Sequence, residues 1–95
     1  MLSFKSPKDV ARQVSKQARA RRVAHNLSRE TLAAKSGVSS ASIRRFETTG
    51  DISFESLVKL AQVLDCLDAF EGLFPAPEPI SLAQIKAKPR VRGRL

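Results

Sequence analysis

Apolar residues recur with a helical period in several stretches of the chain, and most of these stretches follow a serine. The first stretch begins near Ser3 or Ser6, with Pro7 suited to a first helical turn, and Asn26 can end it. Its inward stripe, with one residue every four positions, consists of Val10, Val14, Ala18 and Arg22. The pattern predicts a first helix whose buried face is apolar until its last turn, where an arginine takes over.

A second and a third helix follow at once in LSRETLAAKSGVSSASIRRFE, residues 27–47. The Ser28 hydroxyl can cap the second helix, and Gly37 can end it because glycine adopts a positive φ without strain. Ser39 can cap the third helix. Two short helices joined by so tight a turn bury little apolar surface by themselves. Such a unit usually owes its role to the side chains that its second helix exposes.

Two further helices and a Pro-rich segment complete the pattern. Ser53 can cap a fourth helix, and a short fifth helix is predicted over residues 67–73. PAPEP, residues 75–79, is typical of a stiff extended linker. No stretch shows strand-type alternation of useful length. The sequence therefore predicts an all-α, five-helix domain over residues 7–74, followed by a linker and basic tail over residues 75–95.

Charge is distributed unevenly along the chain. Residues 1–50 carry 11 Lys/Arg and 3 Asp/Glu, a net charge of +8. Residues 51–78 have a net charge of −5, and residues 79–95 a net charge of +5. A strongly basic half favours a polyanionic partner, and nucleic acid is the commonest one.

Several classes of protein are disfavoured by composition. The 95 residues contain no apolar run that could span a bilayer, and the first ten lack the apolar stretch of a signal peptide, so we expect a cytoplasmic protein with no membrane partner. Cys66 has no second cysteine to pair with, and His25 completes no zinc cluster, so we expect no metal and no other cofactor. No nucleophile–base pair, carboxylate pair or Gly-rich phosphate loop is visible, which argues against an enzyme with a small-molecule substrate.

Residues 18–74 resemble the Cro/lambda-repressor (XRE-type) helix-turn-helix family, through LSRETLA, SGVSSASIRRFE and LVKLAQVLD, with the motif itself at residues 28–47. Within that family, RRFETTGDIS and LDAFEGLFP are similar to the HipB-like group. This resemblance implies a homodimeric repressor on a palindromic DNA operator, autoregulating a toxin–antitoxin operon with a HipA-like kinase toxin as its partner. The alternative is chiefly a protein-binding antitoxin that inhibits such a kinase, with DNA binding secondary.

The resemblance also implies residue roles. Base-reading positions on the third helix are Ser39, Ser40, Ala41, Arg44 and Arg45. Phosphate-contacting positions are Ser28, Arg29, Thr48 and Thr49. Ser40 and Arg45 are the best candidates for reading bases, since arginine can bind guanine through two hydrogen bonds. Arg29 replaces the family's usual Gln, Ala41 is shorter than the usual polar residue, and the loop after Glu47 is one residue shorter than the commoner form.

Arg22 and Glu47 occupy positions that form an ion pair in the family, joining the first helix to the end of the third. The place of Arg22 on an otherwise apolar stripe supports this role independently. A direct phosphate contact by Arg22 is the alternative.

A domain of this size has difficulty burying every large apolar side chain, so we expect some of them at a dimer interface. The candidates are Phe54, Leu67, Phe70, Leu73 and Phe74. The tail has three interpretations. Arg90, Arg92 and Arg94 can follow DNA, the segment from Ile80 can fold on a partner protein, or the tail only adds solubility.

Overall fold

The computed structural model describes residues 6–78, which form five helices and contain no β-strand. Four are α-helices: α1 (Pro7–Ala24), α2 (Arg29–Ser36), α3 (Ser40–Thr49) and α4 (Phe54–Val63). The fifth, Leu67–Gly72, is a 3₁₀ helix that closes the domain. The all-α, five-helix prediction is thus confirmed. Ser3, the segment from Ile80 and the tail arginines lie outside the described residues.

Each α-helix begins after a serine whose hydroxyl accepts a hydrogen bond from the backbone N–H three residues further on. These serines are Ser6, Ser28, Ser39 and Ser53. The first is part of a capping box, since the Asp9 carboxylate also accepts from the Ser6 N–H. Gly37 and Gly50 end α2 and α3 with φ of +82° and +85°. Every start and stop of the helix-turn-helix unit therefore has a local chemical cause.

The core lies where α2, α3 and α4 meet, and α1 covers it by packing against α3. Its fully buried large side chains are Leu32, Ile43, Phe46, Leu60 and Leu64. Val10 was predicted on the buried stripe of α1, but it is 46% exposed. With 3.6 residues per turn, a stripe that recurs every four residues drifts by about 40° per step. Val10 has consequently turned away from the core, and Ala11 faces α3 instead.

The end of α3 rests directly on the backbone of α1. A Cβ atom on Gly50 would lie 3.1 Å from the Ala11 carbonyl carbon and 3.2 Å from the Arg12 backbone nitrogen. The same atom on Gly37 would meet nothing within 4 Å. Gly50 is thus required both for its positive φ and for the close approach of α1, whereas Gly37 is required for its φ alone.

We expect Gly50→Ala to destabilise the fold more than Gly37→Ala. Both variants force alanine into a left-handed conformation, at about 1–2 kcal/mol, and only Gly50→Ala also drives a methyl group into α1, at about 1–3 kcal/mol more. Urea unfolding of both proteins measures the difference. Equal losses of stability would show that α1 moves away freely and that the contact does not fix its position.

Candidate nucleic-acid interface

The N-terminal end of α2 and the outer side of α3 form one shallow groove. Its lining residues are Arg29, Glu30, Ser40, Ala41, Arg44, Arg45, Thr48 and Thr49. The structure therefore brings together all of the predicted base and phosphate contacts except Ser28 and Ser39. An α-helix fits the major groove of B-DNA, and a helix N-terminus favours an anion, so this surface suits a duplex that receives α3 while its phosphates lie near α2.

Ser28 and Ser39 act as helix caps, and both hydroxyls are already engaged. Ser28 Oγ accepts from the Thr31 N–H and donates to Thr31 Oγ1 at 3.0 Å. Ser39 Oγ accepts from the Ser42 N–H and donates to Ser42 Oγ at 2.9 Å. The structure thus gives both serines a role in starting the helices of the motif, apart from any contact with DNA.

Thr48 and Thr49 line the groove, and their hydroxyls donate hydrogen bonds to backbone carbonyls of α3 itself. Thr48 Oγ1 donates to the Arg44 carbonyl at 2.8 Å, and Thr49 Oγ1 donates to the Arg45 carbonyl at 2.7 Å. A phosphate oxygen is an acceptor, so either threonine must redirect its hydroxyl proton to bind one.

Glu47 is held by two arginines at the point where three helices meet. Arg22 Nε lies 2.7 Å from Glu47 Oε2, and Arg22 Nη2 lies 3.0 Å from Oε1. Arg29 Nε donates to Oε1 at 2.9 Å. The Glu47 side chain is 3% exposed and that of Arg22 is 9% exposed. The same Arg22 guanidinium donates to the Leu27 carbonyl at 2.8 Å, so it also fixes the connection between α1 and α2.

The charge state of Glu47 depends on these partners. Burial alone raises the pKa of this carboxyl, but the hydrogen bonds and the positive charges of Arg22 and Arg29 together outweigh burial, and the pKa lies below its ordinary value of 4.5. Glu47 is therefore ionised at neutral pH, as the pairing requires. Arg29 remains about one third exposed, with its two Nη groups left to meet a phosphate.

Arg45, the foremost base-reading candidate, forms an exposed ion pair with Asp51. Its Nη2 lies 2.7 Å from Asp51 Oδ2, and both side chains are well exposed, at 70% and 62%. The Asp51 N–H donates to Thr49 Oγ1, which fixes the loop that carries the carboxylate. Exposed pairs of this kind contribute about 0–1 kcal/mol, so the pair orients Arg45 without preventing it from reaching DNA.

One contact that positions the domain was not predicted. Arg21 Nε donates to the Leu64 carbonyl at 2.6 Å, and its Nη2 donates to the Asp65 carbonyl at 3.1 Å. These carbonyls end α4, where Asp65 has a φ of +61°, and a cation is favourable there. Arg21 lies outside the predicted inward stripe of α1, and no local signal in the sequence indicates its partner 43 residues away.

The remaining apolar candidates lie at the start of α4 and in the segment that follows this helix. The Phe54 and Phe70 rings pack edge to face with centroids 5.8 Å apart. Leu67, Leu73 and Phe74 are exposed nearby in sequence, and Phe74 is 95% exposed. We call Phe54, Leu67, Phe70, Leu73 and Phe74 the apolar patch. Four of its five side chains are exposed, and Phe70 is partly buried.

Residues 6–78 include the chain's one histidine and its one cysteine, His25 and Cys66. This part of the chain holds no group of three or more His, Cys, Asp or Glu side chains that could bind a metal ion. His25 is exposed, and Cys66 is partly buried against the core. No described helix is both long enough and apolar enough to cross a bilayer.

A capped second helix, a glycine turn and a third helix with a polar outer face define a helix-turn-helix DNA-binding domain. The helix-turn-helix family model matches residues 19–68, slightly more than half of the chain, and the chain belongs to this family, in its Cro/lambda-repressor (XRE) type. No curated protein matches it. The protein is accordingly a DNA-binding transcriptional regulator.

We expect Glu47→Ala to lower the free energy of unfolding by about 3–5 kcal/mol, because it leaves the buried Arg22 guanidinium without its partner. Glu55→Ala is the matched control. Its carboxylate is 83% exposed and lies 3.7 Å from Lys59, so its loss should cost less than about 1 kcal/mol. Urea unfolding at pH 7 compares the variants, and equal effects would contradict a structural role for Glu47.

A comparison of the wild type with Glu47→Gln across pH tests the same contact. Because the folded-state pKa of Glu47 is lowered, its contribution to stability is complete above 4.5 and is lost as pH falls through the folded-state pKa. The stability advantage of the wild type over Glu47→Gln should therefore shrink below pH 4.5. A constant difference would mean that Glu47 does not titrate differently in the folded and unfolded chains.

Proposed function

We propose that the protein is a homodimeric repressor that binds a palindromic operator, with one α3 helix in each half-site. The groove that joins the α2 N-terminus to Ser40 and Arg45 carries this proposal. Half-sites for such a dimer lie about 34–36 Å apart, one turn of DNA. Repression follows from occupation of a promoter, and we propose that this promoter is its own.

The basic residues of the groove have different roles in this proposal, one binding a phosphate and another reading a base. Arg29 stands at the first position of α2, where its guanidinium is hydrogen-bonded to Glu47. A phosphate bound there fixes the duplex, and Arg45 then reaches a base edge from the outer side of α3. Arg44, which is exposed in the same groove, serves either a base or a phosphate.

The apolar patch supports the dimer. It is contributed by the start of α4, by the closing 3₁₀ helix and by the two residues that follow this helix, none of which lines the DNA groove. A second copy of the chain presents the same patch, and a two-fold axis lets the two patches cover each other. That arrangement leaves both α3 helices available for one palindrome.

The HipB-like features support an antitoxin role, in which the regulator also binds a HipA-like kinase toxin. Residues 51–78 combine a net charge of −5 with the apolar patch, so this half of the domain suits a protein surface better than DNA. If inhibition of the toxin is the main activity and resides in the tail, deleting residues 79–95 spares operator binding and abolishes toxin binding.

Binding of the full chain to the DNA upstream of its own gene tests the proposal. The affinity is measured against a scrambled duplex over a range of salt concentrations, and the mass of the complex gives the number of chains. Tight binding by two chains that resists scrambled competitor supports the repressor. Equal affinity for both duplexes would overturn it and leave the partner protein as the carrier of function.

We expect Arg45→Ala to relax specificity at one base position, with a loss of discrimination of about 1–3 kcal/mol, because a bidentate contact with guanine is removed. Lys59→Ala removes an equal charge from α4, outside the groove, and serves as the control. Affinities across a library of operator variants provide the measurement. An unchanged preference at every position would contradict the base-reading role.

We expect Phe74→Glu to shift the protein from dimer to monomer, because burying a carboxylate in a patch-to-patch contact is costly. Val23→Glu is the control, since Val23 is an exposed apolar residue on α1. Sedimentation velocity at several concentrations gives the mass of each variant. A dimer that survives Phe74→Glu as it survives Val23→Glu would place the interface elsewhere.

A further inference from the structure

The first three turns of α1 precede the part of the chain that matches the family. The match begins at residue 19, whereas α1 begins at Pro7. These turns contribute little to the core, since Val14 and Ala18 are only partly buried and Ser15 is the one fully buried residue before Arg22. They also meet the end of α3, where Gly50 closely approaches the Ala11 backbone. The fold of the domain therefore gives no reason for the character of their outer face.

Helical geometry separates the sides of α1. Ala11 and Arg22 face α3, through Gly50 and Glu47, whereas Arg21 faces the end of α4. At 100° per residue, four exposed cations of α1 lie within an arc of about 80° around the helix axis. Seen from Ala11 and Arg22, this arc lies on the side opposite to Arg21 and α4. We call this set, Lys8, Arg12, Lys16 and Arg19, the basic stripe. The basic stripe is therefore centred about 90° around the α1 axis from the residues that face α3, with Lys8 nearest to α3.

The basic stripe is continuous with the proposed DNA surface. Lys8 lines a second groove together with residues at the end of α3, and Arg45, Thr49 and Asp51 are among them. Arg45 and Thr49 also line the first groove, so the two grooves share residues. The close approach of Gly50 to the α1 backbone places the first turns of α1, which carry Lys8, beside the end of α3.

The charges of the basic stripe have no partner within the described part of the chain. None of the ion pairs in residues 6–78 includes one of its members. The one acidic residue of α1, Asp9, is engaged in the capping box. Like charges four residues apart destabilise a helix by a few tenths of a kcal/mol per pair. The basic stripe therefore lowers the stability of α1, and an external polyanion would offset that loss.

We propose that the basic stripe is a second DNA-backbone contact, which binds phosphates without regard to sequence beside the duplex held by α3. The proposal rests on the DNA-binding function proposed above. The stripe spans roughly 16 Å along α1 at 1.5 Å per residue, enough to follow several successive phosphates of one strand. It enlarges the electrostatic part of binding and leaves base discrimination to α3.

Two full-length variants with the same reduction in charge test this contact. Lys8→Gln/Arg12→Gln removes half of the basic stripe, and Lys35→Gln/Lys59→Gln removes two exposed cations outside both grooves. Glutamine keeps a similar helix propensity. Binding is measured from roughly 50 to 200 mM salt on the upstream duplex and on a scrambled duplex, and thermal unfolding verifies that each variant is folded.

For the stripe variant, we expect the slope of log affinity against log salt to fall by roughly 0.9 for each phosphate that the protein no longer binds, on both duplexes. If each substitution releases one phosphate, the affinity ratio of wild type to variant shrinks by about tenfold between 50 and 200 mM salt. The preference for the upstream duplex stays the same. The control variant should keep the wild-type slope.

Each other outcome has a separate meaning. Equal slopes for the stripe variant and the control would overturn this proposal, and an acidic protein surface would then be the occupant to test. A wild type that binds both duplexes equally would overturn the operator function alone, since the slopes can still be compared. A wild type that binds neither duplex would overturn both proposals.

Discussion

The carboxylate of Glu47 fixes how the three helices of the DNA-facing side lie against one another. It stands near the end of α3 and is bound by Arg22 from the last turn of α1 and by Arg29 from the first turn of α2. The apolar core alone would permit these short helices to slide, because apolar packing is non-directional. A carboxylate with hydrogen bonds of fixed direction on both oxygens removes that freedom.

The cluster also reconciles the phosphate contact proposed for Arg29 with its bond to Glu47. As a phosphate contact it must face solvent, and as a partner of Glu47 it must point inward. Its Nε serves the inward bond, while its remaining donors stay at the surface. Two arginines and one glutamate leave a net positive charge, so the end of α2 stays positive although its arginine is paired. An ammonium group could not divide its donors in this planar way.

The elements of the fold could be predicted from sequence because their signals are local. Serine caps and two glycines set the limits of the helix-turn-helix unit, and each acts on backbone groups close to the helix end. The rotation of α1 could not be predicted, since periodicity gives a face and not the angle at which the neighbour meets it. For that reason Val10 is exposed where the pattern predicts it buried, and no local pattern predicts the contacts of Arg21 with α4 and of Asp51 with Arg45.

The candidate site likewise combines features that the sequence predicts with contacts that only the structure reveals. Resemblance supplied which positions face DNA, and the structure added which of them are already bound within the protein. Ser28 and Ser39 are engaged as caps, Arg29 by Glu47, and Arg45 by Asp51. Such secondary contacts depend on distances between helices that are far apart in sequence, and no spacing rule contains them.

The close contact of Gly50 with α1 has a consequence for how this protein can diversify. The end of the recognition helix rests on main-chain atoms of Ala11 and Arg12, which every amino acid shares. The side chains on the outer face of α1 therefore take no part in orienting α3. Substitutions can therefore change the charge of that face without moving α3. Under the proposed backbone contact, such changes alter the affinity for DNA and leave the recognised sequence the same.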